Sequence, residues 1–213
     1  MLFPTWSPDG SRVAFSVSKL GRADFYSVPA NGSGLAEELL VRDGIQYVTS
    51  WRSDGLVIAY YTFGPDTGAD LWVLSLDGDP TSSAFLASPS NEWAGTFSPN
   101  GRFIAYVSDE SGQDEVYVRP YPGPGGEVIV SSGGGTEPVW ARDGTELFYR
   151  KGEQMLVAEV ETVGTFSTRI ATVLFEGRYE TDRTSFGGYP NYDVSPDGQQ
   201  FIMVRKTGER EQE

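Results

Sequence analysis

The chain has 213 residues, with 30 acidic and 16 basic side chains for a net charge of −14, and it contains neither cysteine nor histidine. That charge repels phosphate backbones and anionic lipid, so nucleic acid and membrane surfaces are set aside as partners, and the missing residue types exclude disulfides, Ser-His-Asp and cysteine nucleophiles, and histidine-ligated zinc. Glycine (26) and proline (13) are plentiful and aromatics reach 13%, which favours short strands joined by tight turns over helices.

Phe3 to Trp6 reads as a first short strand, Ser7-Pro8-Asp9-Gly10 as a tight turn, and Val13 to Val17 as the returning strand, because proline and Asp-Gly supply the backbone angles a hairpin needs. A loop over Ser18 to Asp24 then leads to a strand at Phe25 to Val28, and Glu37 to Val41 forms a fourth. Pro8 and Asp9 come before any apolar signal core could form, and no run approaches the roughly 18 apolar residues needed to span a bilayer. A repeat starting almost at Met1 leads to the expectation that the chain is a piece of a longer protein.

The same order returns downstream. Val48 to Trp51, Arg52-Ser53-Asp54-Gly55, Val57 to Tyr61, Leu71 to Leu74 and Ser83 to Ala87 make a second unit. Ala94 to Phe97, Ser98-Pro99-Asn100-Gly101, Phe103 to Val107, Val116 to Val118 and Glu127 to Ser131 make a third. Pro138 to Trp140, Ala141-Arg142-Asp143-Gly144, Leu147 to Tyr149, Met155 to Ala158 and Ala171 to Phe175 make a fourth. A last, partial unit has only Tyr192 to Val194, Ser195-Pro196-Asp197-Gly198 and Phe201 to Val204, after a Gly/Arg/Thr-rich segment from Gly177 to Tyr189 that reads as a long surface loop. A polar tail covers 206–213.

The turn glycines Gly10, Gly55, Gly101, Gly144 and Gly198 lie 45, 46, 43 and 54 residues apart. Four strand signals per period of this length predict an all-β fold, a β-propeller. Units lie at about 3–44, 45–90, 91–133 and 134–180, with a partial one at 188–205, in a single propeller over 1–205. Each unit alone leaves apolar faces uncovered, so Trp6, Trp51, Phe97, Trp140 and Val194 are expected to pack against neighbouring units. A β-sandwich has no reason to repeat one four-strand pattern this way.

At Pro4 to Phe15 with Asp24-Phe25-Tyr26, Trp51 to Tyr60 with Asp70-Leu71-Trp72, and Phe97 to Tyr106 with Glu115-Val116-Tyr117, the chain resembles the TolB-like, WD-repeat-like β-propeller family. Gly133 to Trp140 with Leu147 to Arg150, and Pro190 to Gly198, further resemble the last blades of the propeller that some bacterial serine/threonine protein kinases carry after a kinase domain and membrane segment. No kinase motif occurs in this chain. The resemblance implies part of a six- to eight-bladed ring, an extracytoplasmic or periplasmic setting, and a non-catalytic module that binds a protein, peptide or small ligand at its channel mouth.

In this family the strand before Asp-Gly is innermost, which puts Gln46, Tyr47, Glu92, Trp93, Glu137, Tyr189 and Asn191 near one opening, with the loops between second and third strands. An exposed Trp93 would suit an interface anchor; packed between blades it would be core. No catalytic residue and no cofactor are assigned. Asp109 to Glu115 gathers four carboxylates and Asp66 with Asp70 makes a smaller group, either of which could contribute to a calcium site, without the EF-hand order. The glycine runs Pro122 to Gly126 and Gly133 to Gly135 lack a following Gly-Lys-Ser/Thr and read as turns. The alternative function is an enzyme using a carboxylate pair in the channel, and unpaired blade edges would allow self-association.

Overall fold

Runs rich in Val, Ile, Tyr and Phe, each closed by a proline- or glycine-bearing turn, pair in the computed structural model into successive antiparallel sheets; residues 2–19, 22–180 and 189–205 are described. The first sheet has β1 (Leu2–Trp6), β2 (Arg12–Lys19), β3 (Arg22–Pro29) and β4 (Glu37–Leu40) in sequence order. The second repeats it with β5 (Gln46–Trp51), β6 (Val57–Gly64), β7 (Gly68–Ser75) and β8 (Thr81–Leu86). The third has β9 (Glu92–Phe97), β10 (Phe103–Ser108), β11 (Glu115–Pro120) and β12 (Val128–Ile129). The fourth has β13 (Thr136–Trp140), β14 (Glu146–Lys151) and β15 (Gln154–Glu161), whose outer edge pairs both β16 (Ser167–Thr168) and β17 (Thr172–Glu176). A fifth, two-stranded sheet joins β18 (Tyr192–Val194) to β19 (Phe201–Met203). These sheets are the blades of an open, partial propeller.

Each Asp-Gly hairpin is locked by its own side chains. In the first turn Asp9 Oδ1 accepts from the Ser11 amide at 3.0 Å and from Ser7 Oγ at 2.6 Å, while Ser7 Oγ accepts from the Arg12 amide at 2.9 Å. Ser195 and Asp197 repeat this arrangement in the fifth blade. In the second blade Arg52 stands where serine would be, and its Nε donates to Asp54 Oδ1 at 2.9 Å.

The core lies between blades. Ala14 and Phe25 of the first pack with Ile58, Tyr60 and Leu74 of the second. Ala59, Tyr61 and Leu71 meet Phe97, Ile104 and Trp93 of the third. Phe103, Val116 and Val118 meet Trp140, Leu147 and Tyr149 of the fourth, and Phe148, Met155 and Val157 meet Tyr192 of the fifth. Burying one such side chain contributes about 1.5–3 kcal/mol.

Three expectations change. Trp6 is 62% exposed, whereas Phe97 and Trp140, at the same motif position, are 6% and 8% exposed. The residue at this position packs toward the blade before its own, as Trp140 Nε1 donating to Thr96 O at 3.1 Å makes plain, and no blade precedes the first among the described residues. The loop expected over Ser18 to Asp24 is mostly strand, since β2 and β3 stay paired out to Lys19 opposite Arg22; Leu20 and Gly21 lie outside the described residues. Within the expected surface loop from Gly177, Tyr179 bridges Arg205 and the Glu180 amide donates to Val204 O at 2.8 Å, so this stretch is pinned to the end of the fifth blade. The remainder of that loop, 181–188, and the tail 206–213 lie outside the described residues.

Candidate functional site

The inner strands β1, β9 and β13 each carry a bulge at one repeat position, where the backbone takes a left-handed conformation without glycine. Phe3, Ala94 and Glu137 have φ of 59°, 55° and 56°, and each sits seven residues before its turn glycine. Register shifts mark the same places in the ladders. A left-handed residue other than Gly costs of order 1–3 kcal/mol and persists where its surroundings hold it. The bulges re-aim side chains at the end of the ring where the inner strands begin.

At that end Phe3 stacks on Tyr189, with ring centroids 4.5 Å apart and planes 6° from parallel, and meets Tyr47 edge-on at 4.7 Å. Tyr47 continues to Tyr61 at 5.1 Å and Phe63 at 6.4 Å. Two of the residues expected at the mouth, Tyr47 and Tyr189, are thus joined through a third that the sequence reading left out. Residues from the first and second blades and from the segment entering the fifth form one partly exposed aromatic group. The Tyr189 hydroxyl is buried with no hydrogen-bond partner among the described residues, and burial, with a smaller contribution from Tyr61, holds its acidity well below that of an ordinary phenol.

Glu137 and Asn191 also come together. The Asn191 amide donates to Glu137 Oε2 at 3.1 Å and Tyr192 Oη donates to Glu137 O at 2.8 Å, so the fourth blade's bulge holds the start of the fifth. Nearby Arg150 is 1% exposed; its Nη1 donates to Glu180 O at 2.9 Å and its Nη2 to Gly152 O at 3.0 Å. Nothing in the sequence separated Arg150 from a surface arginine at a strand end.

Gln46, Glu92 and Trp93 are buried. Gln46 Nε2 donates to Asp43 O at 2.8 Å and leaves Oε1 without a partner among the described residues. Trp93, 7% exposed, belongs to the core between the second and third blades. Glu92, 2% exposed, accepts from the Ser88 hydroxyl, and Asp70, 5% exposed, accepts from Thr67 Oγ1 at 2.8 Å. Burial raises the pKa of both, and the negative charge of Asp70 raises that of Glu92 further. The pair sits in the wall between two blades.

Because the folded-state pKa of Glu92 is raised, its contribution to stability is fully present below about pH 4.5, the ordinary glutamate value, and is lost as pH rises through the folded value. Replacing Glu92 by Gln is therefore expected to raise the thermal midpoint at neutral pH, by about 2–4 °C for each kcal/mol recovered, with no gain in acid. Gln46 holds the equivalent place, nine residues before its own turn glycine. Thermal melts of both proteins across the acid-to-neutral range check this, and equal midpoints at neutral pH would refute it.

The acidic loop at Asp109 does not converge. Both Asp109 oxygens accept from Asn91, at 2.8 and 2.7 Å, while Glu115 accepts from Gln113 Nε2 and the Gly134 amide at 2.7 and 2.8 Å. Among the described residues no group of three or more acidic side chains is placed to hold a metal ion.

A family model described as the TolB beta propeller domain matches residues 1–170. A Protein TolB homolog from Chlorobium luteolum is 29% identical over 117 residues, 55% of this chain and 26% of that protein, so the chain spans about a quarter of the length of this curated relative. The crystal structure of TolB from Acinetobacter baumannii superposes with a TM-score of 0.71 at 17% identity, covering 97% of this chain and 49% of that one. A puromycin-hydrolyzing peptidase from Mycobacterium tuberculosis superposes at 0.61 with 17% identity, covering 95% and 37%. At such identities the structural likeness shows a shared fold and nothing about chemistry.

Proposed function

The chain belongs to the TolB β-propeller domain family, and from that premise we propose that it is a non-catalytic binding module that takes a protein or peptide at the end of the ring where the inner strands begin. The observation that carries this reading is the aromatic group of Phe3, Tyr47 and Tyr189, in which three segments far apart in sequence present partly exposed rings at one place. Aromatic side chains held rigid by packing supply contact area at little entropic cost, which is why they dominate interface hot spots. Glu137 and Asn191, engaged with each other beside this group, act as its support in this reading, and Gln46, Glu92 and Trp93 as the wall behind it. The propeller over 1–205 is one part of a larger bacterial protein, and a membrane-anchored serine/threonine kinase is the parent that its last blades resemble.

Peptides selected from a displayed random library against the immobilised chain supply a probe. Replacing Tyr47 by Ala is expected to weaken the selected peptides by about thirtyfold or more, the loss of about 2 kcal/mol or above that marks a hot spot. Unchanged affinity for a variant that melts as the parent does would remove the mouth as the site.

A further inference from the structure

The sequence holds two Asn-Gly pairs, Asn31-Gly32 and Asn100-Gly101, and the fold surrounds them differently. Asn31 is exposed in the connection between β3 and β4, where its Oδ1 accepts from the Ser33 amide at 2.9 Å and from Ser33 Oγ at 2.7 Å. A Cβ built on Gly32 would meet nothing within 4 Å. Asn100 sits in the turn of the third blade, the one copy with Asn where the other four have Asp. There the amide has a use that a carboxylate could not serve: Nδ2 donates to Thr162 O of the fourth blade at 3.1 Å. Its Oδ1 accepts from Ser98 Oγ and the Arg102 amide at 2.8 and 3.1 Å, and Gly101 is so close to the second blade that a Cβ there would lie 3.0 Å from Arg52 Cγ.

We infer that Asn31 is a site of spontaneous deamidation and isoaspartate formation in the folded protein, and that Asn100 is protected from the same reaction. The Gly32 amide nitrogen, released from its 3.1 Å hydrogen bond to Pro29 O and its proton lost to base, attacks Asn31 Cγ; the new C–N bond closes a succinimide as the Cγ–Nδ2 bond breaks and, with a proton from solvent, ammonia departs. Water then opens the ring at either carbonyl, giving an aspartyl or an isoaspartyl linkage. Two donors face the oxygen on which negative charge develops during attack at both sites, Ser33 at Asn31 and Ser98 with Arg102 at Asn100, so the contrast rests on the exposure of Asn31 and the open space at Gly32, which lets the backbone turn as the ring closes. At Asn100 the leaving nitrogen is held by another blade and the turn is wedged between its neighbours.

The Asp-Gly turns are a second contrast, because an ionised carboxylate is a poor electrophile for this ring closure. The Ser7 hydroxyl, then the Ser11 amide and hydroxyl, hold Asp9 at about 2, while the Thr145 amide lowers Asp143 and the Ser195 hydroxyl lowers Asp197. These positions are expected to stay unmodified while Asn31 reacts.

The test incubates the intact chain in mildly alkaline buffer, native and in urea, and follows both sites by peptide mapping with electron-transfer fragmentation to separate isoaspartyl from aspartyl products. Native Asn31 is expected to convert roughly tenfold or more ahead of native Asn100, about what one retained hydrogen bond is worth, and in urea the two are expected to convert alike. Equal native rates, or an unmodified Asn31 under native conditions where the urea sample has converted, would overturn the inference.

Discussion

Replacing Arg150 by Ala is expected to cost about 2–5 kcal/mol of folding stability, from about 1–3 kcal/mol for each of the two carbonyls left without a donor. The side chain is among the largest that are fully buried, so truncation leaves an internal void. It also strips Glu180 O and Gly152 O of their charged donors. A positive charge that opposes the effect of Glu137 on the Tyr192 hydroxyl is lost at the same stroke. Since Glu180 is in turn bonded to Val204, the damage should concentrate where the fourth blade meets the fifth. Urea midpoints give the magnitude, and amide exchange over Tyr192 to Met203 should accelerate well beyond exchange over β6. Met in place of Arg150 restores volume without the donors and is expected to fall between parent and alanine variant. A cost near zero for Ala would mean that the carbonyls find other donors and that the fifth blade does not depend on this residue.

How much of this could be read beforehand follows from the range of the forces involved. The hairpins were legible because their cause is local: Ser7, Asp9 and Gly10 close their turn with bonds spanning at most five residues. The ring order followed from the repeat. Phe3 was read only as the start of a strand, because its importance depends on a left-handed bulge and on Tyr189, which lies far away in sequence. The one signal available was its place seven residues before a turn glycine, shared with Ala94 and Glu137. Trp93 was legible as a large aromatic at the mouth, but only the neighbouring blade decides between anchor and core. The Ser18 to Asp24 stretch looked like a loop because it carries Gly21 and charged residues, yet cross-strand pairing carries β2 and β3 past their apolar segments. The burial of Arg150, and of Asp70 and Glu92 beside each other, was invisible for a common reason: charged residues are read as solvated until the packing around them is known.

The tryptophans of the repeated motif turn these observations into a comparison within one molecule. Replacing Trp140 by Ala is expected to cost about 3–5 kcal/mol, the usual range for emptying a buried aromatic site. The indole is 8% exposed, lies edge-on to Phe166 at 6.2 Å and bonds Thr96 O in the preceding blade. The same change at Trp6, 62% exposed, is expected to stay within about 0.5 kcal/mol, as surface substitutions do. Trp51 is half-buried and bonds Gly55 O of its own turn at 2.9 Å, so it should fall between the two. Motif identity is nearly constant across these positions; Trp6 differs from Trp140 in having no blade on the side toward which the residue packs, and Trp51, which has the first blade there, differs from Trp140 in being less completely covered. Denaturant midpoints of the three variants therefore measure how far each position is covered by the blade before it. Equal losses at Trp6 and Trp140 would require the outer face of the first blade to be covered in solution. The ordered series would instead place the cohesion of this fold in the contacts between blades, with the Asp-Gly hairpin serving to set each inner strand at the angle those contacts need.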